Sequence, residues 1–127
     1  MRLCVNIGNT STQFGLFDGM RLLAFDRMPT EAVGRDPLPP AVRGAAVESA
    51  VVGSVAPSRT RPVCRALEAA LRVQPRVAGQ DVPVPIEVRV RFPERVGVDR
   101  LLNALAAHRR VRAQTIVVDA GTAVTVD

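Results

Sequence analysis

Apolar positions alternate with polar ones early in the chain and recur three and four apart later, so period alone orders the elements. Arg2 to Gly8 is a short apolar run, a Gly-Asn-Thr-Ser turn follows, and Thr12 to Phe17 resumes the run. Asp18-Gly19 is a hairpin signal, and Met20 to Phe25 reads as a third strand, giving three antiparallel strands at the start. Met28 to Arg43 carries Pro29, Pro37, Pro39 and Pro40 and is expected to be mostly loop, with a short helix after Pro40. Ala50 to Val55 is continuously apolar, as suits a strand covered on both faces.

From Ser58 the period becomes 3.6, with Val63, Leu67, Ala70 and Leu71 on one face. That helix should end near Arg72, and Pro62 fits it if it lies in the first turn. Gly79 to Pro85 reads as a connection, and Ile86 to Val90, alternating around Glu87 and Arg89, as a half-exposed strand. Asp99 is placed as N-cap of a helix running to about Arg112, with Leu101, Leu102, Leu105 and Ala106 as its buried stripe. Thr115 to Val118 is expected to be a buried strand and Ala123 to Val126 its hairpin partner.

Length and composition narrow the function classes. With 127 residues and 47% hydrophobic content, the chain can build one real core but not two full domains. No charge-free run approaches a membrane span and no basic segment precedes an apolar one at the N-terminus, so a cytoplasmic protein is expected. Cys4 and Cys64 have no CxxC partner and read as buried reduced thiols. All 17 basic residues are Arg, which excludes a phosphate-binding or Schiff-base Lys within this chain. Phosphoryl chemistry here must rest on backbone amides, hydroxyls, carboxylates, metal ions and Arg. The net charge of +5 invites a nucleic-acid reading, but the arginines are scattered among acids, and the four Phe are not interleaved with them.

Two segments share one device: Val5-Asn6-Ile7-Gly8-Asn9-Thr10-Ser11-Thr12, and Val118-Asp119-Ala120-Gly121-Thr122-Ala123-Val124-Thr125-Val126-Asp127. In each, an apolar strand meets Asn or Asp, then Gly and Thr, and a second strand follows. A turn Gly lets main-chain N–H groups and a Thr hydroxyl face phosphate oxygens, and two such turns suit a nucleotide cleft.

Three antiparallel strands followed by alternating helix and strand is the order of the ribonuclease H-like half-domain of the acetate kinase, sugar kinase, Hsp70 and actin superfamily. Within it, four ordered pieces resemble type III pantothenate kinase. They are Asn6-x-Gly8-Asn9-Thr10, Ser54-Val55-Ala56-Pro57, Gly97-Val98-Asp99-Arg100-Leu101-Leu102-Asn103-Ala104, and the Asp119 to Asp127 segment. The resemblance covers the family's first half: an N-terminal domain over residues 1–113, then the opening hairpin of a truncated second half-domain over 114–127. The chain thus resembles a fragment or a split protein, and the hairpin's open edges lead to the expectation of a homodimer.

The resemblance implies ATP-dependent phosphorylation of the primary hydroxyl of pantothenate, the entry step to coenzyme A. By the family pattern Asp99 is the general base, Arg100 helps hold pantothenate, and Gly97 approaches the substrate closely. Asn6, Gly8, Asn9 and Thr10 line the phosphate side with Gly121 and Thr122. Mg²⁺ belongs beside Asn6, and a monovalent cation, K⁺ or NH₄⁺, beside Asp119. Asn6 stands where the family has Asp, which keeps an oxygen but loses the charge that helps place Mg²⁺. Phe92 is the candidate for a pantothenate-side aromatic.

Plainer readings stand beside these. Asp99 also serves as a helix cap, Arg100 as a solvated first-turn residue, and Gly8 and Gly121 as turn residues. Asp119 at a strand end requires a partner or a cation. His108, in an Arg-rich stretch, reads as surface without a role. An alternative function, favoured by Asn6, is a noncatalytic nucleotide- or protein-binding relative, similar to the Bvg accessory factors.

Overall fold

In the computed structural model, which describes residues 1–34, 36–121 and 124–127, the chain forms a five-stranded sheet with two helices and a separate hairpin. Strands β1 (Arg2–Ile7), β2 (Ser11–Asp18) and β3 (Arg21–Pro29) form an antiparallel meander. Gly19, at φ +56°, makes the two-residue turn between β2 and β3. β4 (Ser49–Ser54) and the short β5 (Arg76–Val77) extend the sheet in parallel on the other side of β1, so the order is β3-β2-β1-β4-β5. Prolines confine the chain between β3 and β4 to two 3₁₀ turns, Thr30–Ala32 and Pro40–Val42.

Strand alternation assigns each sheet face its residues. One face carries Leu3, Val5, Ile7, Phe14, Leu16, Ala50 and Val52, all buried. Helix α1 (Pro57–Leu71) covers it with Val63 and Leu67, and the 3₁₀ region adds Val33, Leu38 and Val42. Each of the larger side chains is worth about 1.5–3 kcal/mol when withdrawn from water, which makes this face the core. The opposite face presents Cys4, Asn6, Gln13, Gly15, Val51 and Gly53 and is only partly covered, by helix α2 (Val98–Val111).

Several expectations are corrected. Pro62 is the sixth residue of α1, not in its first turn; the carbonyl it leaves without a helical donor, on Ser58, belongs to an exposed residue. Ala70 is exposed, and the buried stripe is Thr60, Val63 and Leu67. Ile86 to Val90 forms no strand: the alternation shows as half-buried Ile86 and Val88 between exposed neighbours, but no neighbouring strand pairs with it. Helix α2 has no fully buried residue; Leu101, Leu102 and Leu105 are half-buried and Ala106 is exposed. Its N-cap is Gly97, and Asp99 lies inside the first turn. Both helices end on an Arg in the left-handed region, Arg72 (φ 56°) and Arg112 (φ 54°), where glycine is the unstrained choice.

The terminal hairpin pairs β6 (Val118–Ala120) with β7 (Val124–Val126), and the amide and carbonyl of Val117 pair with those of Asp127. A hairpin forms, but its first strand is Val118–Ala120 rather than Thr115 to Val118, and it is exposed rather than buried because the five-stranded sheet does not continue into it. Ile116, Val118, Val124 and Val126 all face solvent. Among the described residues, no helix is long and apolar enough to cross a membrane.

Candidate active site

The open sheet face and α2 enclose a cavity of about 370 Å³. Its walls are mainly apolar, from Val5, Phe17, Leu22, Phe25, Val51 and Leu102, with Asn6, Gln13, Asn103 and Asp99 as the polar groups. Gly53 makes this closeness possible: a β-carbon there would lie 3.0 Å from Leu102 Cδ1 and 3.8 Å from Asn6 Oδ1. A second, more polar cavity of about 430 Å³ adjoins it, sharing Asn6, Gln13 and Asn103 and reaching Asp119. Together they give one cleft with an apolar end at Asp99 and a polar end at Asp119.

Asn6 reaches the cleft because strand alternation turns it away from buried Val5 and Ile7. Just beyond it, the chain reverses through Gly8-Asn9-Thr10, closed by the Gly8 amide donating to the Ser11 carbonyl at 3.0 Å. Gly8 is required by contact, since a β-carbon would stand 2.9 Å from that carbonyl oxygen. These turn residues line neither cavity.

Asp99 is set by the start of α2. Its Oδ1 accepts a hydrogen bond from the Arg100 amide at 2.8 Å, and a β-carbon on Gly97 would come within 2.5 Å of that oxygen. The glycine therefore makes room for the carboxylate, at a helix N-terminus whose dipole favours negative charge. The Ser54-Val55-Ala56-Pro57 segment is the β4–α1 junction: Ser54 Oγ accepts from the Ala56 amide at 3.2 Å and from the Thr60 hydroxyl at 2.7 Å.

Arg100 does not line the cleft. Its guanidinium grips the Asp127 carboxylate, with Nε at 2.8 Å from one oxygen and 3.0 Å from the other and a further bond from a terminal nitrogen. That hydrogen bonding, ahead of the opposing desolvation, holds the Asp127 carboxyl below its usual range and pushes the Arg100 guanidinium up. Asp119 accepts a hydrogen bond from Asn103 Nδ2 at 3.0 Å, so both α2 side chains tie the hairpin to the helix. Gly121 is exposed beyond β6, and Thr122 lies outside the described residues.

Of the residues singled out in the sequence, Asn6 lines both adjoining cavities, Asp99 the first and Asp119 the second, while Gly97, Gly8, Asn9 and Thr10 line neither. Phe92 is not in it: the ring is exposed, with the Arg91 and Arg95 guanidinium carbons 5.2 and 4.7 Å from its centre. His108 is exposed. Cys4 and Cys64 are free thiols, half-buried rather than buried, and burial pushes both up in pKa. Sequence reasoning missed Gln13 and Asn103; strand alternation for the first and the helical step from Asp99 for the second were the available signals.

The resemblance implies Mg²⁺ and a monovalent cation, and the residues of the polar end fit these two unequally. Among the described residues, no three His, Cys, Asp or Glu side chains cluster. The polar end offers one carboxylate, Asp119, and the amide oxygens of Asn6 and Gln13. Mg²⁺ commonly keeps several waters and takes one or two carboxylates plus substrate phosphates, and this set fits that mode. It does not make an oxygen cage for K⁺ or NH₄⁺.

A sequence profile of type III pantothenate kinase matches residues 2–127. Among similar proteins, the type III pantothenate kinase of Rubrobacter xylanophilus is 39% identical over 99% of this chain and 52% of its own length. Those of Thermus thermophilus and Myxococcus xanthus are 37% and 33% identical over all of this chain and 54% of theirs. The chain spans about half the length of the curated relatives it matches. With the profile running through all four motifs and relatives aligned along the whole sequence, the chain belongs to the type III pantothenate kinase family.

Proposed function

We propose that this chain carries the N-terminal part of an ATP-dependent pantothenate kinase, transferring the γ-phosphoryl group to the primary hydroxyl of pantothenate. The observation that carries this reading is the single cleft in which Asp99 stands at an apolar end and Asn6 and Asp119 at a polar end. Pantothenate has a branched hydrocarbon segment beside its primary hydroxyl, which suits walls of Phe17, Leu22, Phe25 and Leu102. Asp99 is the group to take the hydroxyl proton as the phosphorus–oxygen bond forms. The Gly8-Asn9-Thr10 amides and the Thr10 hydroxyl face the ATP phosphates, joined by Gly121 and Thr122 from the second turn. Bound Mg²⁺, held by Asn6 and Asp119, would neutralise phosphate charge. In-line transfer then depends on the cleft holding hydroxyl and phosphate at fixed distance.

The sheet, three antiparallel strands continued by two parallel ones with a helix between, supports a ribonuclease H-like half-domain over residues 1–113, with 114–127 opening a second. The exposed apolar hairpin supports a homodimer, and the metabolic role goes with a cytoplasmic location. Arg100 enters this reading as a pantothenate ligand only if it exchanges Asp127 for the substrate's carboxylate. Asn6 favours a second reading, a relative that binds nucleotide or a protein without turnover.

Calorimetric titration with pantothenate tests the primary reading. The chain should bind it, and Gly97→Ala, whose methyl group displaces the Asp99 carboxylate, should weaken binding about tenfold without altering ATP binding. No pantothenate binding by the unaltered chain would remove the substrate assignment.

A further inference from the structure

The Gly8–Thr10 turn is braced from the core side by a residue outside every motif. Thr30, just past β3, is 3% exposed, and its hydroxyl donates to the Gly8 carbonyl at 2.8 Å. Its amide donates to the Thr10 carbonyl at 3.0 Å, so one residue holds both ends of the turn. The Thr12 hydroxyl, fully buried, lies 3.0 Å from Thr30 Oγ1. Because the single Thr30 hydroxyl proton is committed to Gly8, Thr12 is the donor of that pair.

Peptide geometry gives this brace a direction. In a trans peptide the C=O and the following N–H point oppositely, so pinning the Gly8 carbonyl toward the core turns the Asn9 N–H toward the other face. That is the face carrying Asn6 and Gln13.

We propose that Thr30 is a positioning residue for the phosphate-binding turn, its hydroxyl fixing the Gly8–Asn9 peptide so that the Asn9 N–H is presented to a nucleotide phosphate. The inference rests on reading the turn as the nucleotide site. A donor fixed before binding costs no ordering when the phosphate arrives, whereas a loose turn must be ordered by the ligand. Thr12 supports the arrangement by keeping the Thr30 hydroxyl in its rotamer.

The test is titration of the 127-residue chain with ATP and Mg²⁺, followed by the Asn9 amide signal in ¹⁵N-resolved NMR, with pantothenate titrated in parallel. The Asn9 signal should shift in the unaltered chain. Thr30→Val should weaken ATP about tenfold and abolish the Asn9 response while leaving pantothenate within about twofold; Thr30→Ser should restore ATP to within about threefold. A merely structural threonine would lower the melting temperature and leave the folded chain's ATP affinity unchanged, and that result overturns the proposal. So does a serine variant as weak as the valine one. If Thr30→Val does not fold, Thr12→Val decides: it spares the Gly8 bond and should weaken ATP about two- to fivefold, and no loss is fatal. An unaltered chain that ignores ATP refutes the nucleotide reading itself, and this proposal with it.

Discussion

At the scale of single residues, the cleft is a set of exchanges between charge and contact. Asn6 presents an amide oxygen where the family resemblance implies a carboxylate, leaving Asp119 as the anionic group at the polar end. An uncharged oxygen attracts Mg²⁺ less, so Asn6→Asp should lower the Mg²⁺ concentration that half-saturates ATP binding, by about tenfold. Titration of Mg²⁺ at fixed ATP measures this, and an unchanged midpoint would remove Asn6 from the metal assignment. Part of this scale is legible in the sequence: Asn6 and Asp119 stand out as polar residues in or beside apolar runs, whereas Asp99 reads locally as a helix cap and gains a site role only through the family resemblance. The partner of Arg100 was not legible, because an ion pair between residues 27 apart leaves no trace in local spacing. Thr30 was equally hidden, since a threonine at the end of a strand looks like any other until its hydroxyl is seen on the Gly8 carbonyl.

Elements follow the sequence where period and partner agree. The meander and β4 were legible because alternation or continuous apolarity there is matched by real neighbours in the sheet. Ile86 to Val90 shows the converse: period 2 states which side chains share a face but cannot supply a second strand to pair with. The Asp99 cap failed for a related reason, because Gly97 takes the cap position and leaves Asp99 inside the first turn, free to face the cleft.

The hairpin's attachment to α2 is an element-scale device with a pH signature. Asp127 has a depressed carboxyl pKa through its bond to Arg100, so the pair's contribution is complete above the unfolded carboxyl value, about 3.9. It is lost as pH falls through the lower folded value. Acid titration by NMR should therefore show the Val124 and Val126 amides holding their docked positions through the ordinary carboxylate range and moving only below it. Asp127→Asn should remove that transition, and movement at the usual carboxylate pH would show that the pair does not hold the hairpin.

Taken whole, the molecule is asymmetric across its sheet. The α1 side is a closed apolar core, while the α2 side keeps a cleft open between Leu102 and the strands and ends in an exposed hairpin. Among the described residues, the one carboxylate lining the apolar end of that cleft is Asp99. With no lysine among its 127 residues, any phosphate contact this chain supplies must come from backbone amides, hydroxyls, Arg or a metal ion held by its carboxylates. The most direct measurement is mass-spectrometric detection of phosphopantothenate after the chain is incubated with ATP, pantothenate, Mg²⁺ and K⁺, alongside Asp99→Asn. The account expects product from the unaltered chain and a rate lower by about 10²–10⁴ in the variant, the span a positioned general base supplies. Product formed equally by both would contradict the assignment of phosphoryl transfer to this cleft, and no product would contradict its completion by these 127 residues alone.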